Sequence, residues 1–135
     1  MEFKEKQAIY LQIADYVCDH ILNGHWQSGI RVLSVRELAV KLEVNPNTVM
    51  RAYDTLLKQQ ILLNKRGIGF FVDQNASVRI LTFRKQRFLE EELPHIIKNM
   101  HLLGIKINEI EEKYNEFQYS QYLSLNDNTY EKSNE

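Results

Sequence analysis

Two short runs of the sequence decide the fold: Ser34-Val35-Arg36-Glu37-Leu38-Ala39 and, soon after it, Val44-Asn45-Pro46-Asn47-Thr48-Val49. In the first run the hydroxyl of Ser34 can accept a hydrogen bond from the backbone N–H of Glu37 while the Glu37 carboxylate bonds back, which makes a capping box. In the second run Asn45 is a favourable N-cap, and Pro46 takes the first helical position, where its missing N–H costs nothing. The two runs therefore predict two helices separated by a tight turn.

The apolar spacing on either side of these runs predicts the elements that complete a small domain. Apolar residues recur at three- and four-residue spacing from Ala8 to Leu22, which predicts a helix that Asn23-Gly24 would end. Residues 61–64 and 69–72 are predicted to form two short strands, joined by residues 65–68 as a hairpin tip. A helix, a capped helix, a tight turn, a further helix and a hairpin together describe a winged helix-turn-helix.

The rest of the chain predicts helices without a second globular domain. A long helical pattern runs from about Ser77 to Leu103, and Pro94 inside it should kink or split it. Gly104 breaks the chain, and a final helix is predicted from about Lys106 to Phe117. The segment from Gln118 onward is polar and lacks helical periodicity, so we expect it to be mobile unless a partner holds it.

These elements predict a mainly helical chain with one small β-hairpin. The predicted divisions are a winged helix-turn-helix DNA-binding domain over residues 1–73, a helical dimerisation segment over 74–118 and a polar tail over 119–135. A length of 135 residues limits the chain to one domain with a helical appendage. That length rules out an enzyme with separate cofactor and substrate domains.

Composition points to a reducing compartment. No apolar run approaches the ~20 residues of a membrane span, and the polar run Met1–Lys6 lacks the pattern of a signal peptide. The single cysteine, Cys18, can form neither an internal disulfide nor a zinc-ribbon cage. The histidines lack neighbouring ligands at metal-binding spacing. We therefore expect a soluble cytoplasmic protein without a metal or cofactor.

The charge is distributed unevenly along the chain. The formal net charge is -1, but residues 29–72 hold seven Lys and Arg against three Asp and Glu, a net charge of +4. A local basic face can attract phosphate because the attraction acts within roughly a Debye length, about 8–10 Å. A solvated surface of mixed charge is the alternative interpretation of the same residues.

The start of the third predicted helix suits the major groove of DNA. A helix that reads bases needs short polar donors and acceptors in its first turns, and Asn45, Asn47, Thr48 and Arg51 lie there. The hairpin tip Lys65-Arg66-Gly67-Ile68-Gly69 combines positive charge with small residues, which lets its backbone approach a duplex closely. Both features favour DNA as the partner.

These residues resemble the GntR family of bacterial transcription regulators. The resemblance rests on four runs in order: Ile9-Tyr10-Leu11-Gln12-Ile13-Ala14, Ser34-Val35-Arg36-Glu37-Leu38-Ala39, Val44-Asn45-Pro46-Asn47-Thr48-Val49 and Arg66-Gly67-Ile68-Gly69-Phe70-Phe71-Val72. The short C-terminal part looks like the YtrA-like branch, in which the resemblance implies a pair of helices used for dimerisation. The larger effector domains and the fused aminotransferase of other branches do not fit the remaining length.

The resemblance also implies roles for particular residues. Arg36 would reach a phosphate or a base edge from the second helix, and Arg66, Gly67 and Gly69 would form the wing in the minor groove. Many members have arginine at the position of Pro46, so a guanine contact made by relatives is missing here. The usual Leu-Pro before the capping serine is Val32-Leu33.

Other roles remain open for the cations. Arg36 could be a surface salt-bridge partner, Arg51 could point away from DNA or pair with Asp54, and Arg31 could brace the connector. The residues predicted to contact DNA are Arg31, Arg36, Asn45, Asn47, Thr48, Arg51, Lys65, Arg66, Gly67 and Gly69.

An apolar stripe in the C-terminal part predicts self-association. It could be core or interface, and two helices with little to pack against favour an interface. The predicted interface residues are Leu81, Phe88, Leu89, Leu93, Ile97, Met100, Ile107, Ile110 and Tyr114.

Together these features predict a homodimeric, sequence-specific DNA-binding regulator, most simply a repressor of a pseudo-palindromic operator. The resemblance implies control of a nearby operon, often one for an ABC transporter. No phosphate loop, catalytic triad or poised carboxylate pair supports an enzyme. Two alternatives remain: a protein-interaction module on a winged-helix scaffold, and a sensor with a small-molecule pocket.

Overall fold

The computed structural model describes residues 1–3 and 7–133. Residues 4–6, in the polar run considered for a signal peptide, and residues 134–135, at the end of the predicted tail, lie outside the described residues. The chain divides into two compact units between Arg87 and Phe88.

The N-terminal unit begins with three helices, α1 (Ile9–Leu22), α2 (Val35–Leu42) and α3 (Pro46–Lys58). The predicted capping box is confirmed, since the backbone N–H of Glu37 donates to Ser34 Oγ at 3.1 Å and that of Ser34 donates to Glu37 Oε1 at 3.2 Å. Asn45 caps α3, where its Oδ1 accepts from the Asn47 N–H at 2.8 Å. Local side-chain chemistry therefore sets where both helices start.

An antiparallel hairpin follows, with β1 (Leu62–Lys65) paired to β2 (Gly69–Val72). The first strand begins one residue later than predicted because the Ile61 N–H donates to the Leu56 carbonyl at 2.9 Å and so closes the end of α3. The connector before α2 joins the hairpin, since the Val32 N–H donates to the Phe70 carbonyl at 2.9 Å.

A fourth helix, α4 (Ala76–Arg87), completes the N-terminal unit. Its Ala76 and Ile80 are buried in the core, and the Arg84 guanidinium binds Asp19 of α1 at 2.7 Å. The unit therefore extends to Arg87, beyond the domain predicted to end at residue 73. Leu81, assigned from the sequence to the dimerisation segment, lies on this helix and is 70% exposed.

One core serves the whole N-terminal unit. Cys18 is buried in it, and burial raises the pKa of its thiol to about 12. Tyr53 is also buried and donates a hydrogen bond from its hydroxyl to the Leu33 carbonyl. The largest fully buried side chains are Tyr53, Ile13, Leu38, Leu56, Ile61, Leu62, Ile80, Val17, Val49 and Val72.

The C-terminal unit contains a π-helical turn (Phe88–Glu92), α5 (Leu93–Leu103) and α6 (Ile107–Ser133). The predicted interruption of the long helical pattern is a π-helical turn just before Pro94, on the side where a proline ring crowds the preceding turn. Pro94 stands in the first turn of α5, where a missing N–H is tolerated. Gly104 ends α5 with φ 67°, as expected of a left-handed cap.

The last helix corrects the sequence prediction most strongly. It continues to Ser133, whereas the sequence predicted a helix ending at Phe117 and a non-helical polar tail. The segment from Gln118 onward lacks the apolar periodicity by which the sequence predicted the first part of this helix. Residues 107–133 contain neither proline nor glycine, and nothing local therefore interrupts the backbone hydrogen bonds.

Candidate nucleic-acid interface

The third helix presents a polar face opposite its buried one. Val49, Ala52 and Leu56 point into the core, whereas Asn47 and Arg51 are exposed. Asn47 and Arg51 are four residues apart, so they lie on the same face of α3, one turn from each other. This exposed face begins at the N-terminus of the helix, where backbone N–H groups favour anions.

The helix start uses part of the predicted recognition set for its own structure. Asn45 Oδ1 accepts a hydrogen bond from the Asn47 backbone N–H, so the side-chain amide oxygen of Asn45 serves the cap. Thr48 is half-buried, and its backbone N–H donates to the Asn45 carbonyl at 3.0 Å. Of these three residues, only Asn47 has a side chain that is both exposed and not used by the cap.

The hairpin tip carries the predicted wing cations. Lys65 and Arg66 are exposed, and the Ile68 N–H donates to the Lys65 carbonyl at 2.9 Å to close the turn. Gly67 stands at the tip with φ 76°, a conformation that residues with a Cβ adopt at a cost. The Lys65 ammonium lies 4.3 Å from the centroid of the Phe71 ring. This contact orients the lysine on the hairpin.

The connector places Arg31 against this wing. A Cβ added at Gly69 would stand 2.8 Å from Arg31 Nε, so the side chain crosses directly over the glycine backbone. Arg31 and Phe71 also form an isolated antiparallel bridge. Arg31, Lys65 and Gly69 are therefore brought together, and Arg31 both braces the wing and adds charge to it.

The second helix adds an exposed cation and a stabilised carboxylate. The hydrogen bonds from Ser34 lower the pKa of Glu37, and the Arg31 charge lowers it further. Arg36 is exposed beside Val40, which is 79% exposed. Within the described part of the chain, Arg36 forms no ion pair with a carboxylate. The salt-bridge alternative for Arg36 therefore finds no support.

Arg51 has a partner that the sequence did not suggest. Its guanidinium carbon lies 3.9 Å from the centroid of the Tyr10 ring on α1. The alternative partner considered from the sequence, Asp54, forms no ion pair with it among the described residues. Tyr10 and Arg51 are distant in sequence, and only the packing of α1 on α3 makes them neighbours.

Two histidines, His20 on α1 and His25 just after it, lie side by side. His20 stacks on Trp26 with ring centroids 5.1 Å apart, and the Nδ1 atoms of His20 and His25 are 3.1 Å apart. Burial and the neighbouring His25 lower the pKa of His20. Over residues 1–3 and 7–133, no three His, Cys, Asp or Glu side chains group closely enough to hold a metal ion. In the same part of the chain, no helix has the length and apolarity needed to cross a membrane.

Comparison with known proteins assigns the segment that carries this face to a family. The family described as "Bacterial regulatory proteins, gntR family" matches residues 9–72, from the first residue of α1 to the last of β2. The Bacillus subtilis regulator YhcF is 33% identical over 109 residues, which cover 81% of this chain and 88% of YhcF. The chain belongs to the GntR family. All the residues predicted to contact DNA lie within the matched span.

The GntR relatives also include a repressor and a solved structure of similar length. The B. subtilis transcriptional repressor YtrA is 33% identical over 104 residues, which cover 77% of this chain and 79% of YtrA. A crystal structure from Bacteroides thetaiotaomicron, described as a GntR-family transcriptional regulator, is 50% identical and has a TM-score of 0.71. It covers 84% of this chain and 99% of its own. These matches confirm the short, YtrA-like branch and the winged helix-turn-helix with C-terminal helices.

Membership of the GntR family establishes the general activity. The chain is a DNA-binding transcription regulator and not an enzyme, and its winged helix-turn-helix is the part that binds DNA.

Proposed function

We propose that this GntR regulator is a repressor that binds a pseudo-palindromic operator as a homodimer. The observation that carries the proposal is the polar face of α3 flanked by cations from separate segments. Asn47 and Arg51 stand on the helix, Arg36 on α2, and Arg31 and Lys65 on the wing side. A two-fold dimer would present this face twice to one duplex.

Within this proposal the DNA contacts divide into base readers and phosphate anchors. Asn47, exposed on the first turn of α3, can donate to and accept from one adenine edge in the major groove. Arg66 at the glycine-flanked hairpin tip suits a phosphate or a narrow minor groove. The full proposed contact set is Arg31, Arg36, Asn45, Asn47, Thr48, Arg51, Lys65, Arg66, Gly67 and Gly69.

The proposed dimer uses apolar side chains that a single chain leaves in water. Phe88, Leu89 and Ile97 are 41%, 47% and 53% exposed. Burying apolar area of this kind contributes about 25 cal/mol per Å², and a second copy offers a self-complementary surface. The full proposed interface is Leu81, Phe88, Leu89, Leu93, Ile97, Met100, Ile107, Ile110 and Tyr114.

Repression is proposed from the likeness to YtrA, which is described as a repressor. A dimer seated on an operator that overlaps a promoter would exclude the transcription machinery from it. As a protein that acts on the bacterial chromosome, it would work in the cytoplasm.

The test begins with duplexes that the intact protein selects from a random pool. Each neutralised phosphate should contribute a slope of about -0.9 to the log–log dependence of affinity on salt. Asn47→Ala should flatten base preference at one position of each half-site, by roughly 1–3 kcal/mol, and leave the salt slope nearly unchanged. Arg66→Ala should weaken binding to all duplexes and reduce the slope by about one unit per half-site.

The variants also define what contradicts the proposal. Full base preference in Asn47→Ala would make Asn47 a helix-start residue only, with Arg36 the next reader to test. An affinity independent of salt, or a palindrome bound by a single copy, would overturn the proposed operator complex.

A further inference from the structure

A stacked pair joins the first helix to the exposed face of the third. Tyr10 on α1 is half-buried and packs against the core, whereas Arg51 on α3 is exposed. The guanidinium carbon of Arg51 lies 3.9 Å from the Tyr10 ring centroid, within the range of a cation–π contact. The ring is anchored by the core, so it is the arginine whose freedom the contact restricts.

This contact leaves the arginine able to bind an anion. A guanidinium stacked on a ring uses its flat face, and its N–H donors point outward in its plane toward carboxylate or phosphate oxygens. Arg51 has no ion pair among the residues that the structure describes. It stands one turn from Asn47 on the same face of α3, so an anion bound there would lie beside the bases that Asn47 reads.

We propose that Tyr10 is a positioning residue, which holds Arg51 in the conformation in which Arg51 contacts a DNA phosphate next to the recognition site. The inference rests on the proposed function. A free arginine loses rotamer freedom when a partner orders it, and stacking removes much of that freedom before DNA arrives. Lys65 over Phe71 uses the same arrangement at the wing, with 4.3 Å between ammonium and ring centroid.

A double-mutant cycle on the full chain tests this coupling. The probes are a duplex that the wild type selects and an unrelated duplex of equal length. Tyr10→Leu keeps an apolar side chain but removes the ring, and should weaken binding to the selected duplex about two- to fivefold. Tyr10→Phe keeps the ring and should bind as the wild type does. In an Arg51→Gln background, Tyr10→Leu should have no further effect.

The salt dependence separates the two residues. Arg51→Gln removes a phosphate contact and should reduce the slope by about 0.9 per protomer. Tyr10 touches no DNA in this proposal, and its effect passes through Arg51. Tyr16→Leu is the matched control, because Tyr16 is a second half-buried tyrosine on α1 whose ring contacts His20 and Trp26 and not an arginine. It should leave the affinity unchanged.

A measurement without DNA keeps the inference testable if Tyr10→Leu destabilises the fold. In the NMR spectrum of the free protein the Arg51 Hε proton, above the ring face, should be shifted upfield. The shift should persist in Tyr10→Phe. An unshifted Arg51 proton would overturn the inference, as would equal loss of affinity on Tyr10→Leu with and without Arg51. Failure of the wild type to select any duplex would instead remove the proposed function, and this inference with it.

Discussion

The two units of the chain treat their apolar residues in opposite ways. In the N-terminal unit, side chains from α1, α2, α3, α4 and both strands are buried in one core. In the C-terminal unit, no side chain is buried among residues 88–129. The apolar side chains of Ile97, Leu103 and Phe117 are more than half exposed. The first unit has the means to be stable alone, and the second does not.

This difference teaches where each unit obtains its stability. Most helical stability in proteins comes from packing an apolar face, because isolated helices are marginal in water. The N-terminal unit satisfies that condition within one chain. The C-terminal helices can satisfy it only by burying their apolar side chains against other surfaces, which agrees with the proposed dimer.

The largest expected effect comes from cutting the two units apart. A fragment of residues 1–87 keeps the whole core and should be a folded monomer, whereas the intact chain should have twice the mass of 16.0 kDa in light scattering. The fragment can no longer bind both half-sites as one dimer, so its operator affinity should be about 10²–10⁴-fold lower than that of the intact chain.

A shorter fragment sharpens this test. Ending the chain at Val72 also removes Ala76 and Ile80 from the core, so residues 1–72 should unfold at lower temperature than residues 1–87. A mass of 16.0 kDa for the intact chain, or undiminished operator affinity of the 1–87 fragment, would contradict the comparison.

A matched pair of isoleucines compares the units at a single position each. Ile80 is 0% exposed and Ile97 is 53% exposed. Ile80→Ala leaves a cavity and should lower the free energy of unfolding by about 2–5 kcal/mol in chemical denaturation. Ile97→Ala should change that quantity little in chain dilute enough to be monomeric, and should instead weaken self-association. Equal losses of monomer stability from both variants would break the comparison.

A matched pair of tyrosines compares the two units through one hydroxyl each. The Tyr53 hydroxyl donates inside the core to the Leu33 carbonyl, whereas the exposed Tyr114 hydroxyl accepts from Gln118 Nε2 at 3.0 Å. Tyr53→Phe should lower the free energy of unfolding by about 0.5–1.5 kcal/mol. Tyr114→Phe should have no measurable effect on the dilute monomer, because water replaces its exposed partner. A larger loss of thermal stability in Tyr114→Phe than in Tyr53→Phe would be inconsistent with a core confined to the first unit.

The smallest expected effect depends on pH at the start of α2. The hydrogen bonds from Ser34 hold the Glu37 pKa below its ordinary value of 4.5 in the folded chain. Glu37 therefore adds stability above that pH, and the contribution is lost as the pH falls through the folded pKa. Ser34→Ala should show a smaller loss of unfolding free energy on acidification below pH 4.5 than the wild type, and Ser77→Ala, at an exposed position of α4, should match the wild type.

The starts of α2 and α3 and the end of α5 could be predicted because their causes are local. Ser34 with Glu37, Asn45 with Pro46, and Gly104 act within a few residues, so the sequence contains both partners. The position of Asn47 and Arg51 in the first turns of α3 could be predicted for the same reason, since the cap and the helical period place both residues. The family resemblance, which the comparisons confirm, rests on these same runs.

What the sequence by itself determined is therefore the winged helix-turn-helix, its capped helices and the net charge of +4 over residues 29–72. Tertiary structure decided that Tyr10 meets Arg51, that Arg31 crosses Gly69 and that α4 joins the first unit, because these contacts link residues distant along the chain. The length of α6 was missed for another reason: residues after Phe117 lack the apolar periodicity by which a sequence predicts a helix, yet the helix continues to Ser133.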